Sequence, residues 1–148
     1  MPLDRSFTAE NTKERERLRA LVARLSDEQL ARQLDGGWTV AAALAHVAFW
    51  DQRGLALLAR WERQGIGPSP LPADIDAIND ASRALCLAIP PRAAAQLALE
   101  SADALDRKIE ALTDEQLTAM EAADFPLSLE RFHHRGEHLD EIERLLAG

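Results

Sequence analysis

Residues 40–65 read "VAAALAHVAFWDQRGLALLARWERQG", and how this stretch folds decides the architecture. Ala and Leu, strong helix formers, dominate it. Gly36 and Gly37 break the chain ahead of it, and Thr39 stands where a side-chain oxygen caps a helix start. No proline interrupts it before "GIGPSPLP" at 65–72 ends it. The stretch is apolar almost all round, so it predicts a long and buried helix.

The flanking segments repeat the helical theme. Leu18, Leu21, Val22 and Leu25 recur at spacings of three and four and predict a first helix from about Ala9 to Leu25. A third helical region starts near Asp74. The "IPP" at Ile89–Pro91 breaks or kinks it, because proline lacks an amide proton and disfavours helical geometry in the residue before it. Helix resumes to about Leu112, and a last helix follows Pro126 almost to the terminus. "LSDEQL" at 25–30 returns as "LTDEQL" at 112–117; each places Ser or Thr ahead of two acids, a helix-start signal. Reused capping chemistry explains this echo better than a duplicated half-domain. Tyrosine is absent, and runs of β-branched residues are missing. The expectation is an all-α fold, a four-helix bundle of up-and-down or crossover type with a kinked or broken third region.

Bulk properties narrow the function classes. At 148 residues and 47% hydrophobic content, the chain fits one domain spanning 1–148. No run of about 18 uncharged apolar residues is present to span a membrane. The opening "MPLDRSFTAENTKERERLR" lacks the basic start and apolar middle of a signal peptide, so a cytoplasmic protein is expected. Cys86 is the single cysteine, which excludes an internal disulfide. A net charge of −8 with acids and bases mixed along the chain argues against nucleic acid as a partner. "DIDAIND" at 74–80 lacks the spacing and glycine of a calcium loop and reads as helix-start acids.

Chemistry concentrates in "RFHHRGEHLDEIERLLAG" at 131–148, which holds three of the four histidines within six residues. On a helical wheel at about 100° per residue with Phe132 at zero, Leu127, Leu129, Phe132, Leu139, Ile142, Leu145 and Leu146 fill one apolar arc. His134 and His138 fall at its edge, an i, i+4 pair facing inward, whereas His133 joins Glu137, Asp140 and Arg144 on the solvated side. Such a pair can place two imidazole nitrogens on one metal ion, although two histidines on a helix more often bind nothing. His46 lies far upstream in the buried helix. A lone histidine there is more often a core residue bonded to a carbonyl, but Ala42, Ala43, Phe49 and Trp50 one turn away, two small and two large aromatic, suit a cavity with a narrow floor and apolar walls. Three neutral histidines from two facing helices leave open coordination positions, as a reactive metal requires.

Two stretches together carry a resemblance to a known family. "GGWTVAAALAHVAFWDQR" at 36–53 is similar to a Trp-Thr helix start followed by a His seven residues after the Thr, and "HRGEHLDEI" at 134–142 is similar to a closing HxxxH helix. Both patterns resemble the DinB-like bundles, which include YfiT-type hydrolases and the N-terminal domains of thiol-dependent maleylpyruvate isomerases. The resemblance covers nearly the whole chain. It implies a four-helix bundle in which His46, His134 and His138 hold a divalent metal, commonly zinc or nickel, and it implies frequent homodimers. It does not imply a single reaction.

A three-histidine metal with open positions lowers the pKa of a bound water or thiol, so a low-molecular-weight thiol is an expected second cofactor and a small molecule the expected substrate. Glu141, three residues after His138, is the candidate catalytic carboxylate, against the alternative of a surface salt bridge. Trp50, Arg53 and Arg131 are the candidate cofactor-binding residues: Trp50 one turn from His46, Arg53 two turns beyond it, Arg131 three residues before His134. Arg135 points into the apolar arc, where it either snorkels outward or reaches a polar cavity. Trp38 and Trp61 read as packing residues. A metal-dependent thiol transferase or hydrolase in detoxification or stress response is the leading expectation, and a non-catalytic dimeric bundle with a structural metal is the alternative.

Overall fold

The structure, a computed structural model, describes residues 3–68, 71–123 and 129–148. Met1 and Pro2 of the opening, Ser69 and Pro70 of the break after the second helix, and Pro126 and Leu127 at the expected start of the last helix lie outside the described residues. Seven α-helices are present among those described: α1 (Phe7–Arg24), α2 (Asp27–Leu30), α3 (Val40–Gln64), α4 (Ile75–Ala88), α5 (Pro91–Glu110), α6 (Asp114–Ala122) and α7 (Phe132–Ala147). The long helices α1, α3, α5 and α7 form the bundle, with α3 packed chiefly on α5, α1 on α5 and α7, and α4 laid against α3. None of the helices is long and apolar enough to cross a membrane.

Local chemistry sets the helix ends. The Thr39 Oγ1 accepts the amide of Ala42 at 3.0 Å, and Gly65, at φ +85°, closes α3 by donating to the Trp61 carbonyl at 2.8 Å. Both DEQL repeats start with reciprocal capping boxes, Ser26 with Gln29 and Thr113 with Gln116, which is the chemistry the echo suggested. At Ile89 and Pro90 the backbone is extended, and Pro91 opens α5 at a position whose amide needs no intrahelical partner. The third helical region is therefore two separate helices, and only α5 joins the bundle. The last helix is shorter than expected: it begins at Phe132, and Leu129 sits in a bend before it.

Asn11 fixes where α7 starts. Its fully buried amide donates to the Leu129 carbonyl at 2.8 Å and accepts from the Phe132 amide at 2.9 Å, so a residue of α1 caps α7 across 121 positions of sequence. This contact matters for function because it sets the register of the helix that carries two histidines.

Side-chain size explains how closely the central helices meet. Ala42, Ala45 and Ala48 of α3 share one apolar cluster with Ala94, Ala95, Ala98 and Ala102 of α5, joined by Leu18, Leu21, Leu139 and Ile142. A second cluster gathers Leu57, Leu58, Trp61, Leu105, Ile109 and Met120. Between the two in chain order on α3 stands Asp51, fully buried. It faces Arg131, before α7, and Arg135, within it; Asp106 of α5 in turn binds Arg135 and Arg15 of α1. The bundle thus carries an ionic layer across its interior. Arg135 does not snorkel: with 1% exposure it reaches Asp106 with two nitrogens, at 2.8 and 2.9 Å.

Candidate metal centre

His46 leaves the buried face of α3 and meets His134 and His138, one turn apart on α7. The Nε2 atom of His134 lies 3.3 Å from that of His46 and 3.2 Å from that of His138. One ligand atom from each lies within 4.8 Å of the other two. The rings meet edge to face, with centroids 4.8–5.2 Å apart. Trp38, held just after the left-handed Gly36–Gly37 turn, closes one side with its ring 5.2 Å from His46. His133 is exposed and bound to Glu130 at 2.9 Å, on the solvated side where the wheel put it.

Proton accounting tests whether these residues suit a metal. A neutral imidazole nitrogen carries either one N–H or one lone pair. The His134 Nε2 therefore makes a good hydrogen bond to one neighbour and leaves the other unmatched. A cation accepts all three lone pairs at once. With metal–nitrogen bonds of roughly 2.0–2.1 Å and tetrahedral angles, two nitrogens on one ion stand about 3.3–3.4 Å apart. The two spacings made by His134 agree with that value, and the three-histidine group is able to hold a metal ion.

Electrostatics keeps the ligands neutral. Burial, and next the charge of His138, pushes the His46 imidazole down to about 4. Burial pushes His134 down to about 3, assisted by His138, His46, Arg131 and Arg135. His138 is lowered by burial as well, against the opposing pull of Glu141 and Glu137. The Nδ1 atoms of all three are buried without a hydrogen-bond partner. The Glu141 carboxylate stands 3.6 Å from the Nδ1 of His138, within ion-pair reach and beyond hydrogen-bond length.

The other expected site residues divide between two places. Trp50, Arg131 and His134 line one cleft with Leu71, Ile75 and Asn79, and its volume is about 260 Å³. The Trp50 indole donates to the Asn79 Oδ1 at 3.0 Å. Arg131 is 7% exposed and bound through Nε and Nη2 to the Oδ1 of Asp51. Arg53 lies over the Trp50 ring, 5.8 Å from its centroid, but lines a different hollow with Ala56, Leu57 and Arg60. Phe49 corrects its expected place in the apolar walls around His46: it is 38% exposed and borders an apolar groove with Leu85, Cys86 and Leu97, because α4 packs on that side of α3. Sequence reasoning passed over Asp51, Asn79 and Trp38 as site-forming residues. Asp51 left a signal, an acid inside an otherwise apolar helix, which requires a buried partner.

Residues 10–139 match the family model of the DinB superfamily, and the chain belongs to that superfamily. No curated protein and no solved structure matches it.

Proposed function

We propose that this protein is a metal-dependent enzyme in which His46, His134 and His138 hold a divalent cation, zinc or nickel, for a thiol-transfer or hydrolytic reaction on a small molecule. One observation carries the reading: the central His134 Nε2, 3.3 and 3.2 Å from two other imidazole nitrogens, has a geometry that a shared cation satisfies and hydrogen bonding does not. A cation on three neutral histidines supplies Lewis acidity at its open positions, lowering the pKa of a thiol or water bound there.

The protein's own residues do the remaining work. Burial holds the imidazoles neutral and ready to ligate at physiological pH. Glu141 orients His138 through its Nδ1 side, a positioning role that favours the Nδ1–H tautomer and leaves the Nε2 lone pair for the cation. The cleft beside His134 gives a small molecule access to the site, which favours a reactive centre over a purely structural ion. A low-molecular-weight thiol fits the same place. Homodimer assembly is part of the same proposal, supported by the exposed apolar side chains Phe49, Leu85 and Leu87, and light scattering tests it.

Metal content per chain after identical purification with trace metal supplied tests the centre. Wild type and His133→Ala are expected to carry metal, and His46→Ala to lose it. Full occupancy in His46→Ala refutes the site. In the cobalt-substituted protein, a thiolate charge-transfer band on adding a small thiol supports thiol activation, and its absence favours water.

A further inference from the structure

The cleft beside His134 has a chemical character of its own. The indole N–H of Trp50 only donates, so the atom of Asn79 that faces it at 3.0 Å is the carbonyl oxygen. The Asn79 amide NH2 is consequently turned away from Trp50 and has no partner among the described residues. Arg131 gives Nε and Nη2 to a single oxygen of Asp51 and leaves Nη1 without a partner in the same set. The Arg131 side chain as a whole is 9% exposed. Asp51, which neutralises it, is fully buried and does not line the cleft. No carboxylate lines it either; Trp50, Leu71 and Ile75 supply apolar surface. Free donors on two lining residues, one of them a cation, with an apolar wall and no acceptor charge, form a receptor for an anion with an apolar body. A volume of about 260 Å³ lies just under the roughly 300–1,000 Å³ of pockets for drug-sized ligands.

We propose that this cleft is the substrate subsite and that it takes a small carboxylate with an apolar or aromatic body, its carboxylate held by the Asn79 amide and the Arg131 guanidinium and its body against Trp50 and Ile75. The assignment rests on the metal-centre reading in one respect, that the bound molecule lies beside His134 and so beside the cation. Arg131 serves two sides at once: Asp51 fixes its plane, and the free nitrogen meets the ligand. Arg53 acts on the cleft only through the ring of Trp50.

The test uses benzoate as the anionic probe and benzyl alcohol as its neutral counterpart, with the full chain labelled in nitrogen-15. The indole signal of Trp50, assigned by its loss in Trp50→Phe, is followed in zinc-loaded and metal-free protein. Benzoate is expected to move it saturably, with a dissociation constant on the order of 1 mM, and benzyl alcohol is not. Asn79→Asp keeps the oxygen that Trp50 needs but adds a negative charge, and it is expected to weaken benzoate by about tenfold or more with zinc content unchanged. Asn79→Ala is expected to weaken it less. Equal shifts from benzoate and benzyl alcohol, or undiminished benzoate binding in Asn79→Asp, overturn the subsite. Zinc content measured on the same samples separates the two readings. Asn79-dependent benzoate binding by a protein that takes up no zinc upholds the subsite and refutes the metal centre; zinc uptake without such binding does the reverse.

Discussion

One oxygen of Asp51 accepts two nitrogens of Arg131, at 3.1 and 3.0 Å, inside the bundle and 80 residues away in sequence. The other oxygen lies 3.4 Å from Arg135. His134 stands between these two arginines in the chain, so the carboxylate that neutralises them also fixes the part of α7 that presents His134 to His46. The ionic layer and the histidine centre are adjacent parts of one helix interface. The polar interior is therefore explained by what it positions as well as by its own pairing.

Asp51→Ala tests that dependence. Removing one partner of a buried pair leaves uncompensated charge, here on Arg131 because Arg135 keeps Asp106, and costs about 3–5 kcal/mol. Denaturant unfolding is expected to show a loss of that size, with a smaller one for Asp51→Asn, which keeps a hydrogen-bond acceptor. A change within about 1 kcal/mol for Asp51→Ala is the surface-pair value and contradicts the burial argued here.

Much of this was legible in the sequence, and the gaps have a common physical cause. Helix α3 announced itself by composition, Thr39 and the glycines by their capping chemistry, and the inward faces of His134 and His138 by periodicity. All of these are local properties. The ionic layer was not legible because each member reads as an isolated anomaly: Asp51 in an apolar helix, Arg135 in an apolar arc, Asp106 in an ordinary amphipathic one. Their pairing exists only once four helices are placed side by side. Asn11 is a further case, a polar residue of α1 whose partners, the Leu129 carbonyl and the Phe132 amide, lie more than a hundred positions away. Phe49 was misplaced for the same reason, since α4 had to be positioned before the exposed side of α3 was known.

Asn11→Ala is expected to act at a distance. It leaves the first amide of α7 without its acceptor and the Leu129 carbonyl with the Arg131 amide alone, at a cost of about 1–3 kcal/mol. Fraying at that end displaces His134 before His138, so metal affinity is expected to fall along with stability. Lowered stability with unchanged metal affinity refutes the link between this cap and the centre.

Glu141→Gln separates orientation from packing. The substitution conserves shape but removes the charge 3.6 Å from the Nδ1 of His138. Loss of an outer-shell partner of a metal ligand typically costs 10–100-fold in affinity. At this long separation the lower end, about tenfold, is expected in a zinc competition titration. His133→Ala, which removes an exposed ring that meets Glu130 and the ring of Phe132 and neither of the other histidines, is expected to leave affinity unchanged. Equal effects from the two variants argue against a role for Glu141.

The pH dependence follows from the depressed imidazole values. In the unfolded chain the histidines protonate near the ordinary 6.5, whereas in the metal-free bundle burial holds His46 down to about 4 and His134 down to about 3. Between these limits the unfolded state binds more protons than the folded one, so stability falls as pH falls. The contribution is fully present above about 6.5 and lost progressively as pH drops towards the folded values. Metal behaves differently, because protons compete for the ligands of the folded protein and not for those of the unfolded chain. Zinc is therefore expected to stay bound well below pH 6.5, the value that ordinary histidines suggested, and to leave as pH approaches about 4. Titrations of zinc release and of thermal unfolding, run on wild type and on His46→Leu, distinguish the two effects. The variant is expected to lose zinc at every pH and, in the metal-free form, to show a shallower fall in stability between pH 6.5 and 4. Wild-type zinc release centred at 6.5 means that the imidazoles titrate as solvated groups, and the buried, convergent arrangement described for His46, His134 and His138 is then wrong.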